Sequence, residues 1–122
     1  PLPVSNGLTT LLNTLRIDAS SAQTFNFSDP DYSVENGGFH PVEIRLDHNG
    51  HIQYITDFSY QGSGHCAELA KEIDFDFSMN LFQHYGRDYP IELGMDLYPI
   101  WESNFLQYYQ MGVYQVEVSS HV

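Results

Sequence analysis

Apolar residues recur in two segments of the chain with the three- and four-residue spacing of an amphipathic helix. The first stripe comprises Leu8, Leu11, Leu12 and Leu15. The second comprises Leu97, Ile100, Trp101, Phe105 and Tyr108. Ser5 or Asn6 is a suitable cap for the first helix. We expect the second helix to begin at the cap Asp96 and to end at Gly112.

Between these helices apolar and polar residues alternate, as in strands that are buried on one face. Alternating runs predict strands around Phe25 and Phe27 and over residues 42–46, 52–60, 72–79 and 114–118. Asn49-Gly50 separates two of these runs and predicts a hairpin, because both central residues of a type I′ turn need positive φ. Turn-forming residues predict a loop over 29–38, while residues 65–71 fit either a helix or a strand.

This pattern predicts a single α+β domain over residues 1–122, with a mostly antiparallel sheet of about five strands and two helices packed on one face. A chain of 122 residues can bury an ordinary core, and the lone Cys66 has no partner for an internal disulfide. No apolar run approaches the roughly 18 residues that span a bilayer, so we expect a cytoplasmic location and no membrane contact. The chain begins at Pro1 rather than at a methionine, which is compatible with removal of a preceding segment.

The charge is strongly negative for a chain with this much apolar content. Sixteen Asp and Glu oppose four Lys and Arg, a formal net charge of -12, yet 42% of residues are hydrophobic and 15% aromatic. The charge therefore lies on the surface of a folded core rather than indicating disorder. Such a surface repels nucleic acid and anionic lipid and favours a basic protein surface or a DNA-binding protein as partner.

Unbroken strand alternation would place seven carboxylates with Arg45 on the sheet face that the helices leave open. They are Glu43, Asp47, Asp57, Glu72, Asp74, Asp76 and Glu117. One interpretation is a solvated face that keeps the protein soluble and discourages edge pairing. The other is a docking surface for a basic partner, or an imitation of the phosphates of DNA. Asp74 and Asp76 lie roughly 7 Å apart on one strand, but alternating acids are common without any chemistry.

Neither a metal site nor a catalytic centre is predicted. His48 and His51 flank the hairpin turn and His65 adjoins Cys66, but neither pair has the second half that a structural zinc site requires. We therefore expect no metal, no cofactor, no catalytic residue and a buried thiol, and recognised catalytic motifs are absent from the sequence.

The second helix also carries apolar residues beside its main stripe, namely Tyr98, Leu106 and Tyr109. A helix laid deeply against the sheet would bury them, and this is the favoured interpretation. The alternative is an exposed aromatic patch used for dimerisation or partner binding.

Four segments carry a resemblance to a known family: residues 37–45 (GGFHPVEIR), 52–58 (IQYITDF), 72–77 (EIDFDF) and 108–114 (YYQMGVY). They resemble an uncharacterised family of small gamma-proteobacterial proteins, a domain of unknown function often encoded among the genes of mobile elements. The similarity extends over nearly the whole chain. The resemblance implies a genomic context and assigns no activity or site residue.

The sequence thus predicts a small acidic, non-enzymatic module that presents its carboxylate-rich sheet face to a basic protein. The alternative is a DNA mimic of a mobile element, often doubled as a homodimer, that occupies host DNA-binding or nuclease proteins. A small-molecule-binding or enzymatic domain is a distant third. A mimic would compete with DNA and depend steeply on salt, whereas a binding module would use aromatic anchors and tolerate salt better.

Overall fold

A computed structural model describes residues 3–121 and contains two helices and one sheet. The elements in chain order are α1 (Asn6–Leu15), β1 (Ala22–Ser28), β2 (Val42–Leu46), β3 (Ile52–Gln61), β4 (Glu68–Asp76), β5 (Leu81–His84), β6 (Arg87–Pro90), α2 (Tyr98–Gln110) and β7 (Gln115–His121), with short 3-10 turns at Gly64–Cys66 and Ile91–Gly94. The strands form a seven-stranded sheet in the order β6-β5-β4-β3-β2-β1-β7, and all neighbours are antiparallel. The α+β class is confirmed, with seven strands rather than about five.

Two unpredicted strands, β5 and β6, form a hairpin at one edge of the sheet. Tyr85 and Gly86 connect them with φ values of +50° and +80°, the two positive values that a type I′ turn needs. Strand β4 ends at Asp76 rather than at Met79, which is exposed in the connection to β5. The undecided segment 65–71 begins in a 3-10 turn and continues as strand from Glu68.

The predicted hairpin between β2 and β3 is confirmed, but its turn is not type I′. Gly50 is the residue of this turn with a positive φ, +84°, and its amide donates to the Asp47 carbonyl oxygen. Asp47 also accepts hydrogen bonds on Oδ1 from the amides of Asn49 and His51, both at 2.9 Å. Its carboxylate therefore caps the turn, as aspartate side chains commonly do.

Two of the three predicted helix ends are confirmed. Ser5 caps α1 by accepting a hydrogen bond from the amide of Leu8, and Gly112, at φ +78°, ends α2. The prediction that Asp96 caps α2 is wrong. Helix α2 begins at Tyr98, after Leu97, without a side-chain cap, and a proline in its first turn needs no amide partner.

Both helices contribute to one hydrophobic cluster on the covered face of the sheet. The Phe105 ring lies edge-on to Phe27 with centroids 5.0 Å apart and stacks on Trp101 at 5.2 Å. Tyr98 is fully buried, while Ile100 is 62% exposed, so Tyr98 rather than Ile100 faces the core in the first turn of α2.

The Glu102 carboxylate joins the two helices at the base of this core. It accepts hydrogen bonds from the Tyr98 hydroxyl at 2.7 Å and from the Ser5 amide at 3.0 Å. Burial is the larger reason why the pKa of Tyr98 is raised, and this hydrogen bond adds to it. The exposed-patch interpretation of Tyr98 is therefore wrong, and Leu106 and Tyr109 are half-buried against the same core.

A β-bulge in β3 reverses the faces predicted for that strand. Leu46 lies opposite Ile52 while Arg45 lies opposite Tyr54, so Gln53 is an extra residue between them. Side chains directly opposite one another in a ladder share a face. Ile55, opposite Ile44, consequently enters the core.

The same reversal moves Asp57 to the helix-covered face, opposite Val42 and Ile73. A second bulge lies in β4, where Asp57 is opposite Ile73 but Phe58 is opposite Lys71. Glu72 is its extra residue. The open-face assignment of Asp57 and Glu72 is therefore wrong, because strand alternation continues only where the ladder has no bulge.

Asp74 keeps its predicted place on the open face but is only 4% exposed. Its Oδ1 accepts a hydrogen bond from Thr56 Oγ1 at 2.8 Å, and Lys71 Nζ lies 3.9 Å from Oδ2. Burial is the main influence on this carboxyl and raises its pKa, although the Thr56 hydrogen bond and the Lys71 charge act in the opposite direction.

We predict that Gly86→Ala destabilises the fold by about 1 kcal/mol, because alanine resists the positive φ of the β5–β6 turn. No atom lies within 4 Å of an added Cβ there, so the effect comes from the backbone alone. Chemical denaturation measures it. The control is Gly7→Ala in α1, which has room for a Cβ and should leave stability equal or higher. Equal losses of stability in the two variants would contradict a backbone effect specific to the positive φ of Gly86.

We predict that Asp74→Asn raises the free energy of unfolding at pH 7 by up to about 1 kcal/mol, because it removes a buried charge and keeps an acceptor for Thr56. The pKa of Asp74 is higher in the folded than in the unfolded protein, so the fold loses stability as pH rises through the folded-state pKa. The gain should therefore shrink below pH 4, where both side chains are neutral. Denaturation at pH 3.5 and pH 7 tests this, and an equal gain at both pH values would contradict it.

Candidate functional site

A cavity of about 360 Å³ lies between α2 and the covered face of the sheet, where residues 38–40 pass beside the helix. Its aromatic lining comprises Phe39, Trp101, Phe105, Tyr108 and Tyr114. Its imidazole and carboxylate groups belong to His40, Asp57 and Glu72. The cavity thus combines aromatic walls with two carboxylates on the covered side of the sheet.

The loop before β2 forms one wall of the cavity. Asp29 organises it, since its Oδ1 accepts from the amide of Asp31 at 2.9 Å and its Oδ2 from that of Phe39 at 3.0 Å. Gly38 has φ +137°, and a Cβ at this position would lie 2.9 Å from Asp29 Oδ2 and 3.0 Å from Tyr32 Cα. Only glycine fits this close approach, which delivers Phe39 and His40 to the cavity.

Asp57 joins the loop, the sheet and α2 at the cavity wall. Its Oδ1 lies 2.8 Å from His40 Nδ1, and its Oδ2 accepts a hydrogen bond from Trp101 Nε1 at 2.8 Å. The hydrogen bond to Asp57 is the main reason why the pKa of His40 is raised; burial opposes this effect, and the charges of Asp57 and Glu72 add to it. The Asp57 side chain is 13% exposed and that of His40 is 36% exposed, so the imidazole has access to solvent.

Glu72 reaches the cavity because of the bulge in β4. One possible ligand atom from each of His40, Asp57 and Glu72 lies within 4.8 Å of the others. The neighbouring Glu72 carboxylate raises the pKa of the Tyr85 phenol. Among the described residues, neither carboxylate of the cavity forms a salt bridge with Lys or Arg.

The aromatic rings of the cavity are held by contacts with one another. Phe39 packs on Tyr108 with ring centroids 4.7 Å apart, and this contact attaches the loop to α2. Burial is the main cause that raises the pKa of the Tyr114 hydroxyl, and the charge of Asp57 contributes. Aromatic faces carry partial negative charge, so rings and carboxylates together attract cations.

The seven predicted carboxylates do not form one continuous row. Asp57 and Glu72 line the cavity, and Asp47 caps a turn. On the open face, the Tyr54 hydroxyl donates to Glu43 at 2.5 Å, and Asp76 accepts from the Ser78 hydroxyl and the Met79 amide. Asp74 is buried and Glu117 is exposed on β7.

Sequence reasoning missed His40 and the aromatic wall. His40 is 17 residues from Asp57, and Asp57 is 44 residues from Trp101, so no short motif connects them. The histidines that local spacing did single out lie elsewhere, with His51 exposed and His65 in a 3-10 turn. Cys66 is exposed, which corrects the expectation of a buried thiol.

Neither helix in the part of the chain between residues 3 and 121 has the length and apolar content needed to cross a bilayer.

Two solved structures resemble this chain closely. The hypothetical protein VC0508 from the VSP-II pathogenicity island of Vibrio cholerae has 37% sequence identity and a TM-score of 0.85, over 98% of this chain and 94% of that one. The conserved hypothetical protein VC1805 from pathogenicity island VPI-2 of Vibrio cholerae has 36% identity and a TM-score of 0.82, over 97% and 95% of the two chains. The latter is described as sharing structural homology with the human P32 protein.

No curated protein matches the sequence. The origin of both structural relatives agrees with the resemblance to a gamma-proteobacterial family associated with mobile elements. Residues 4–119 match the family model described as a protein of unknown function, DUF2787, and the chain belongs to that family.

Proposed function

We propose that this protein is a small acidic binding module that receives a cationic side chain of a basic protein partner in the cavity beside α2. The observation that supports this function is the pairing of Asp57 and Glu72 with aromatic walls in one accessible cavity. A lysine or arginine side chain suits such a cavity because its aliphatic part packs on rings while its charged end meets carboxylates.

The electrostatics of the cavity support a positively charged occupant. Two carboxylates face one imidazole, and the residues that line the cavity include no lysine or arginine within the described chain. A cation near an aromatic face gains about 0.5–2 kcal/mol, and a hydrogen bond to a charged group contributes about 1.5–3 kcal/mol. These magnitudes indicate weak binding of one side chain, to which the net charge of -12 adds long-range attraction for a basic partner.

The open sheet face supports this function less well. A DNA mimic needs many carboxylates along one surface, but Asp57 and Glu72 face the cavity instead, and Asp74 is buried. Glu43 and Asp76 already accept hydrogen bonds from neighbouring groups. These placements favour the cavity over the open face, and over mimicry, as the site for a basic partner.

We predict that a lysine-containing peptide quenches or shifts the fluorescence of Trp101, the single tryptophan of the chain, and that Glu72→Gln weakens this binding about tenfold. Peptides with lysine, arginine or acetyl-lysine at the central position identify the required group. Acetylation should abolish binding, since it removes the charge.

The matched control is Glu117→Gln, which removes the same charge from an exposed position of β7. At the same ionic strength, this variant should bind the peptide with the affinity of the parent protein. Equal weakening in the two variants would show nonspecific attraction and would contradict the cavity as the site. Displacement of the peptide by duplex DNA, or capture of DNA-binding proteins that survives Glu72→Gln, would favour mimicry instead.

A further inference from the structure

We infer that His40, Asp57 and Glu72 form a binding site for a first-row divalent metal ion such as Zn²⁺ or Mn²⁺, and that this ion and the cationic side chain exclude each other from the cavity. The metal site goes beyond the proposed function, and its existence does not depend on that function being correct. It stands on the juxtaposition of an imidazole and two carboxylates from three separate segments of the chain.

The donor atoms are close enough for one ion. His40 Nδ1 and Asp57 Oδ1 are 2.8 Å apart, and the candidate ligand atoms of all three residues lie within 4.8 Å of one another. Metal–ligand distances of about 2.0–2.2 Å place neighbouring donors about 3 Å apart around an ion. The first pair already has nearly this spacing, and Glu72 offers a third donor within 4.8 Å of the other two.

The two carboxylates are directed at the site by the backbone and by a neighbouring side chain. Asp57 keeps one oxygen toward His40 while Trp101 Nε1 donates to the other at 2.8 Å. Such outer hydrogen bonds orient ligating carboxylates in metal sites. Glu72 is directed by the β4 bulge, and bulges commonly redirect a side chain beside a functional site.

The ligand set also indicates the class of ion. One imidazole with two carboxylates favours Zn²⁺, Mn²⁺ or a similar transition metal, whereas Mg²⁺ and Ca²⁺ prefer oxygen ligands throughout. Three protein ligands leave coordination positions for water or another ligand, and the cavity of about 360 Å³ provides the space. The partly exposed His40 side chain gives the ion a path from solvent.

The metal ion and the cationic side chain compete because both would bind the carboxylates of Asp57 and Glu72. A metal ion that binds Asp57 and Glu72 neutralises the charges that would otherwise meet a lysine or arginine. The metal-bound cavity should therefore reject a cationic side chain, by electrostatic repulsion and by loss of hydrogen-bond acceptors.

We predict that isothermal titration of the peptide-free protein with Zn²⁺, and separately with Mn²⁺, shows one site per chain. His40→Ala and Glu72→Gln should each weaken binding at least about tenfold, in line with the loss of one ligand. The control is His51→Ala, because His51 and Asp47 form an exposed pair at 3.6 Å without a third ligand. It should leave the affinity unchanged. Mn²⁺ should also broaden the NMR signals of the His40 ring.

Two titrations distinguish this proposal from the proposed function. Metal titration of the peptide-free protein tests the metal site alone, and peptide titration in the presence of EDTA tests the binding of a cationic side chain alone. Circular dichroism and thermal unfolding establish that each variant is folded. Metal affinity that His40→Ala and Glu72→Gln leave unchanged, or no metal binding below millimolar concentrations in the folded parent, would overturn the metal site and leave the peptide result unaffected. Simultaneous binding of metal and peptide would overturn the mutual exclusion.

Discussion

The two hydrogen bonds of the Asp57 carboxylate connect the parts of the structure on which the cavity depends. His40 belongs to the loop before β2, Asp57 to β3 and Trp101 to α2, so one side chain fixes three elements relative to one another. A carboxylate on the covered side of a sheet is unfavourable unless its oxygens are bonded. The loop and the helix supply those bonds, and their positions therefore depend on each other.

Two bulges explain why the sequence predicted most helices and strands but not the faces on which Asp57 and Glu72 lie. The helices, the β2–β3 hairpin and the central strands follow from spacing and turn chemistry, which are local. The faces of Asp57 and Glu72 do not, because one extra residue reverses every side chain beyond it. Adjacent apolar residues at Tyr54 and Ile55 were the available signal that alternation is interrupted in β3.

Tertiary contacts rather than local propensity explain the unpredicted edge hairpin. Strands β5 and β6 have four residues each and carry charged and polar side chains, which is weak evidence for a strand. Phe82 secures them by stacking on Phe75 at 5.5 Å and packing against Tyr89 at 5.9 Å. Gly94 leaves room for this ring, since an added Cβ would lie 3.2 Å from Phe82.

The composition of the cavity is the strongest argument that it is a binding site. Core packing alone would favour apolar residues at positions 57 and 72, because carboxylates lose hydration when they face an aromatic cavity. His40 compensates one of them directly, and the Trp101 indole contributes a neutral donor. This excess negative charge is the physical basis for proposing a cation as the occupant of the cavity, whether a metal ion or the end of a basic side chain.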